Sequence, residues 1–184
     1  MVDSKVLGSY DNSPYTMRNN LVLKKVGIFI WRTQIGRLPV KIELDKRGID
    51  LHSVRCDLCD EDLESVMHCL IDCSFAKDIW SRVFSWWDFG AFSSANVTDM
   101  IRDKGPISMS SFGCKVWQDT KWITLYLIWK NRNNVVFQGK SGTAPVALNE
   151  IQNLTFEWIT SRAKDRCFDW LTWLSKPKVY LNML

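Results

Sequence analysis

The chain has 184 residues, 46% of them hydrophobic and 24% charged, with nine Gly and five Pro; that length can bury a core, and that composition excludes a collagen-like or disordered polymer. A formal net charge of +4 is mildly basic, which permits contact with nucleic acid or an acidic surface without requiring it. The start of the chain lacks the basic-then-apolar pattern of a secretory signal, and the longest apolar run, around Trp122 to Trp129, falls far below the roughly 20 residues that span a bilayer, so an intracellular protein, nuclear or cytoplasmic and without a membrane partner, is expected.

Residues 1–20 are rich in Ser, Asn, Asp and Pro without periodicity and read as a poorly ordered lead-in. From Leu21 to Ile35, Val22, Val26, Phe29, Ile30 and Thr33 recur at helical spacing, and Gly36 with Leu38-Pro39 breaks the pattern. Pro39 suits the first turn of a second helix, Val40 to Arg47, with Gly48 as its left-handed cap. The two helices are expected to form a short antiparallel hairpin, with Trp31 packed inside it.

Leu51 to Leu63 reads as a loop, and from Ser65 the series Val66, Met67, Leu70, Phe75, Ile79, Trp80, Val83, Phe84, Trp87 predicts a helix with His68 or Cys73 near its start. A first domain over 21–90 results. Residues 91–114, with the Gly- and Ser-rich stretch around them, read as a linker carrying one helical turn near Val97 to Ile101. A Trp-rich helical region over 115–175 follows. Its first helix runs Val116 to Phe137 on Val116, Trp117, Thr120, Ile123, Tyr126 and Leu127, and ends at Gly139. Its second runs from Pro145 to about Arg166 on Leu148, Ile151, Leu154, Trp158 and Ile159. Residues 176–184 read as a tail. The fold class is mainly α: a helical hairpin, a metal-stapled loop and helix, then a C-terminal helical pair. The ten Trp mostly sit within apolar periodic stretches, where such side chains fill cores.

The chemistry is concentrated in Cys56-x2-Cys59-x8-His68-x4-Cys73. A Cys-x-x-Cys turn can place two sulfurs on one cation, and the His-x4-Cys pair closes a tetrahedron; three thiolates and an imidazole favour Zn2+ over oxygen-seeking Mg2+ or Ca2+. A redox dithiol would sit in an α/β pattern that is missing here, and an iron-sulfur cluster usually takes four Cys. Cys69 is the lesser alternative as a ligand, His52 reads as a plain loop histidine, and Cys69, Cys114 and Cys167 are left as thiols. Four protein ligands leave no position for water, so the zinc is expected to be structural.

Between Arg18 and Arg47 lie eight basic side chains against Glu43 and Asp45, whereas the metal loop carries Asp57, Asp60, Glu61, Asp62 and Glu64. Phosphate contacts are therefore expected from Lys24, Lys25, Arg32, Arg37, Lys41, Lys46 and Arg47 and not from the loop. Solvated faces of two amphipathic helices are the plain alternative for the same charges.

The runs FIWRTQIGRLPVKIELDKRGI and CDLCDEDLESVMHCLIDCSFAKDIWSRVFSWW together resemble the reverse transcriptase zinc-binding domain found at the C-terminal end of plant non-LTR (LINE-type) retrotransposon polyproteins. Trp31-Arg32, Arg37-Leu38-Pro39, Arg47-Gly48-Ile49, the Cys56, Cys59, His68, Cys73 set, Glu64-Ser65 and Ile79-Trp80 carry the likeness. LIWKNRNNVVF, from Leu127 to Phe137, is similar to the segment that commonly follows. Val40, where the family tends to have Thr, and Cys69, where Leu is common, depart from it. The resemblance implies a module that accompanies a polymerase domain in a parent polyprotein and contacts RNA or DNA. No Asp-Asp dipeptide of a polymerase palm occurs, so no enzymatic activity is expected of this chain. A zinc-stabilised protein-interaction module and a non-functional retroelement fragment are the alternatives.

Overall fold

The computed structural model describes residues 23–94, 96–163 and 167–183. The helices are α1 (Lys24–Gln34), α2 (Lys41–Asp45), a single π turn (His68–Asp72), α3 (Ser74–Trp86), α4 (Val97–Arg102), α5 (Ser111–Gln138), α6 (Ala144–Arg162), α7 (Trp170–Ser175) and α8 (Pro177–Met183). Among the described residues no strand forms, and one isolated antiparallel bridge pairs Arg55 with Leu63. The mainly α class expected from periodicity holds.

The α1 face reads as expected, with Val26, Phe29, Ile30 and Thr33 buried; Leu21 and Val22 lie outside the described residues, as does the lead-in. Gly48 adopts φ +76° beyond α2, a conformation that disfavours any side chain. The helical hairpin does not form as a packed pair. α1 packs on α5, α2 buries no residue of its own, and Trp31 is 46% exposed instead of packed. Local spacing finds the helices but not their partner, because the surface that covers α1 is roughly a hundred residues away in sequence.

α5 is the centre of the molecule. Ser110 caps it by accepting a hydrogen bond from the Gly113 amide (3.0 Å), and Gly139, at φ +63°, closes it. It packs against α1, α3, α4, α6, α8 and the π turn. Hence Val116, Trp117, Trp122, Ile123, Leu125 and Ile128 are all buried, and with them Lys121. A helix buried on nearly every side has no single apolar stripe. The buried Lys121 ammonium donates to the Met100 carbonyl (2.9 Å), the Asp103 carbonyl and the Asp103 carboxylate (3.0 Å). Burial pushes its pKa down, against the opposing pull of Asp103.

Those contacts change the reading of 91–114 as a linker. Residues 97–102 form α4, and Val97, Met100, Ile101 and Met109 enter the core. The segment is part of the packed body, its small polar residues serving as turns around a short apolar helix. The tail is likewise corrected: 177–183 are helical, Leu181 is buried, and Ser110 bonds to both the Leu181 carbonyl (3.0 Å) and the Asn182 side chain (2.9 Å). The second C-terminal helix ends at Arg162; residues 164–166, to which it was expected to extend, lie outside the described residues.

Tryptophans fill the core as expected. Trp80, Trp87, Trp117, Trp122 and Trp173 are all less than 2% exposed. Trp86 and Trp173 meet edge to face at 4.9 Å and Trp87 lies 5.0 Å from Trp117, tying α3, α5 and α7 together. Such pairs contribute about 0.5–1.5 kcal/mol each beyond their buried area.

Candidate metal centre

The loop from Arg55 to Leu63 folds back on itself. The Cys56 amide donates to the Asp62 carbonyl (2.9 Å), the Asp60 amide to the Cys56 carbonyl (2.8 Å) and the Glu64 amide to the Val54 carbonyl (2.9 Å), with Asp60 in the left-handed region at φ 57°. That tight reversal turns Cys56 and Cys59 toward the same point. The amides of Leu58 and Cys59 also stabilise the Cys56 sulfur.

The other two side chains come from the π turn. On an α-helix, positions five apart lie about 140° apart around the axis, so His68 and Cys73 would face different ways. Here the Cys73 amide bonds to the His68 carbonyl (2.8 Å), the wider i to i+5 closure of a π turn, which brings both ligands to one side. Ser65 Oγ accepts from the His68 amide (3.0 Å), and the Trp80 indole donates to the Leu70 carbonyl (2.9 Å), fixing the turn onto α3. The amides of Phe75 and Ala76, in the first turn of α3, stabilise the Cys73 sulfur as a negative end group.

The result unites all four residues expected as ligands: the atoms offered by Cys56, Cys59, His68 and Cys73 lie within 4.8 Å of one another. Cys56 Sγ is 3.9 Å from Cys73 Sγ, and Cys59 Sγ is 3.2 Å from His68 Nε2. A tetrahedral zinc with ordinary bond lengths has sulfur-sulfur edges of about 3.8 Å and sulfur-nitrogen edges of about 3.6 Å, so the donor set fits such an ion in both kind and spacing. The other imidazole nitrogen, Nδ1, faces the Asp62 carboxylate at 3.7 Å, the side from which a carboxylate orients a metal-binding histidine. The hydrogen bond between Cys56 and Cys73 pushes the Cys56 thiol up and holds that of Cys73 down.

The alternatives separate cleanly. Cys69 is fully buried outside the cluster, and burial pushes its thiol up, as expected of a core residue. His52 is exposed on the loop and is not part of the cluster.

Two further contacts fasten the loop to the helical body. Glu64, fully buried, accepts from Arg132 Nε (3.1 Å) and Arg132 Nη2 (2.6 Å), and its Oε1 also accepts the Lys41 amide (2.9 Å). Arg132 is itself buried and lies 5.0 Å over the Trp129 ring. A charge buried with a bidentate partner is costly to unpair. Lys41 reaches the loop directly, donating to the Arg55 carbonyl (2.8 Å) and the Asp57 carboxylate (2.7 Å).

These contacts sort the seven basic residues expected to meet phosphate. Lys41 is a structural clamp. Lys46 pairs with Glu43 at 2.8 Å, and Lys25 lies 5.6 Å over the Tyr126 ring. Lys24, Arg32, Arg37 and Arg47 are exposed and carry no ion pair among the described residues. The acidic loop is partly spoken for as well, since Glu64 holds Arg132 and Asp57 holds Lys41.

Geometry thus defines a helical protein whose loop is closed onto helix α3 by a Cys3His cluster able to hold a metal ion, with no ligand position left over. Residues 11–80 match the family described as zinc-binding in reverse transcriptase, which takes in α1, α2, the metal loop, the π turn and the first half of α3. The family's metal is zinc, the ion that the donor set fits. Comparison with curated proteins and with solved structures yields no match. Among the described residues, no helix is long and apolar enough to cross a membrane.

Proposed function

We propose that this chain is a structural-zinc module of retrotransposon reverse transcriptase origin, of the plant LINE type, that binds RNA or DNA without sequence preference and performs no polymerase or nuclease chemistry itself. The observation that carries this reading is the set of exposed cations without ion pairs among the described residues, Lys24, Arg32, Arg37 and Arg47, on α1 and the segment that follows it. Zinc in such a shell holds the shape, and long cations on rigid elements neutralise phosphates and release counterions. A polymerase domain in the parent polyprotein is the partner that would deliver the nucleic acid, in the nucleus or the cytoplasm.

The test is binding of zinc-loaded protein to labelled single-stranded RNA and DNA over a salt series. Affinity should fall with salt, and replacing Lys24, Arg37 and Arg47 by Gln should flatten the log-log slope by about 0.7 for each phosphate no longer neutralised. Absence of binding at low salt, or indifference to both salt and the triple substitution, overturns the reading.

The second reading, a protein-interaction module, draws on different residues than sequence suggested. Trp117, Trp122, Trp129, Trp158 and Trp173 are in the core. Exposed apolar side chains are scattered over the described residues, and the group that shares one helical face is Ile28, Trp31 and Ile35 on and beside α1. A non-functional fragment would bind no nucleic acid while still binding zinc.

A further inference from the structure

Beside the exposed cations, a recess of about 470 Å³ opens between α1, the C-terminal end of α5 and the α2 segment. Phe29 and Trp129 line it but are only 6% and 9% exposed and stack on each other at 6.4 Å and 27°, and half-buried Tyr126 meets Phe29 edge-on, so the aromatic ring it offers to a ligand is that of Phe137. Ile28 and Phe137 also line it, and Phe137 is 77% exposed. Arg32 supplies a lining cation with no ion pair among the described residues, and no acidic residue contributes to the lining.

We propose that this recess takes an unpaired base of a single-stranded nucleic acid, whose adjoining phosphates lie on Arg32 and its basic neighbours. The inference rests on the nucleic-acid reading above and narrows it to strands whose bases are free. Aromatic surface next to an unpaired guanidinium, with no carboxylate in between, matches a base attached to a phosphate. A base inside a duplex cannot reach a recess between two helices.

The experiment compares the affinity of the intact zinc-loaded protein for three probes of equal phosphate count at one salt concentration: a single-stranded oligonucleotide, the same strand with abasic positions, and a duplex. The base-bearing single strand should bind roughly tenfold tighter than the other two. Phe137→Ala, at an exposed position where folding is not at stake, should weaken single-strand binding by about five- to a hundredfold and leave duplex binding unchanged; Arg32→Gln should weaken the single strand more than the duplex. Equal affinity for all three probes, or no effect of Phe137→Ala, overturns the recess as a base site while the general nucleic-acid reading stands. Binding to none of them overturns both. Tight binding of an acidic helical peptide that Phe137→Ala abolishes, with nucleic-acid binding untouched, overturns it in favour of a protein partner.

Discussion

Cys69 adjoins a ligand in sequence but is not one of the four side chains that converge, and the difference is visible in what each substitution should do. Cys59→Ser should abolish one-to-one zinc retention, measured by native mass spectrometry, because the shell loses a donor that no neighbour replaces. Cys69→Ala should keep full zinc stoichiometry and cost about 1 kcal/mol of stability, the loss of one sulfur from a packed core. The four ligands were legible because they fall within eighteen positions, and both pairs are set by local turns. The turn itself was not: the spacing His68-x4-Cys73 reads as a loose helical neighbourhood until the i to i+5 closure shows how the two face one way. Lys41 shows the opposite failure. Its charge suggested phosphate, but its partners, Arg55 and Asp57, are loop groups that no local pattern assigns to it.

An apolar period of three turns or more marks α1, α3, α5 and α6 as helices, although α3 starts at Ser74 after the π turn and α5 five residues before Val116. What periodicity could not supply was which element covers which. Glu64 stands in the metal loop and Arg132 in the Leu127 to Phe137 stretch, 68 positions apart, and only the fold reveals them as one buried ion pair. Glu64→Gln, which leaves the Arg132 guanidinium buried without its counter-charge, should cost about 3–5 kcal/mol in denaturant unfolding. Pairing Glu64→Leu with Arg132→Met should cost clearly less than the two single substitutions summed, because the unpaired charge is then gone. If the double variant is strictly additive, the pair does not couple the metal loop to α5.

For the molecule as a whole, the question is how far loss of the metal spreads. α3 is half in the metal unit and half in the helical body: Cys73 caps it, but Ala76, Ile79, Trp80 and Val83 are buried, and the helix packs against α6. Chelation should therefore free the amides of about 53–68 to exchange within the dead time of a hydrogen-exchange experiment. Most protection in α5, α6 and the second half of α3 should survive. Uniform loss of protection through 162 would mean that the metal holds up the entire body. The buried ion pair also bears on how such a chain can be cut and inherited. A boundary drawn at residue 90, where the composition invites one, would take the Arg132 partner from the Glu64 carboxylate and strip Tyr126 and Trp129 from Phe29. Separated from the stretch that carries Arg132, the metal unit should therefore unfold at lower denaturant than it does within the whole chain, and relatives should vary at positions 64 and 132 together.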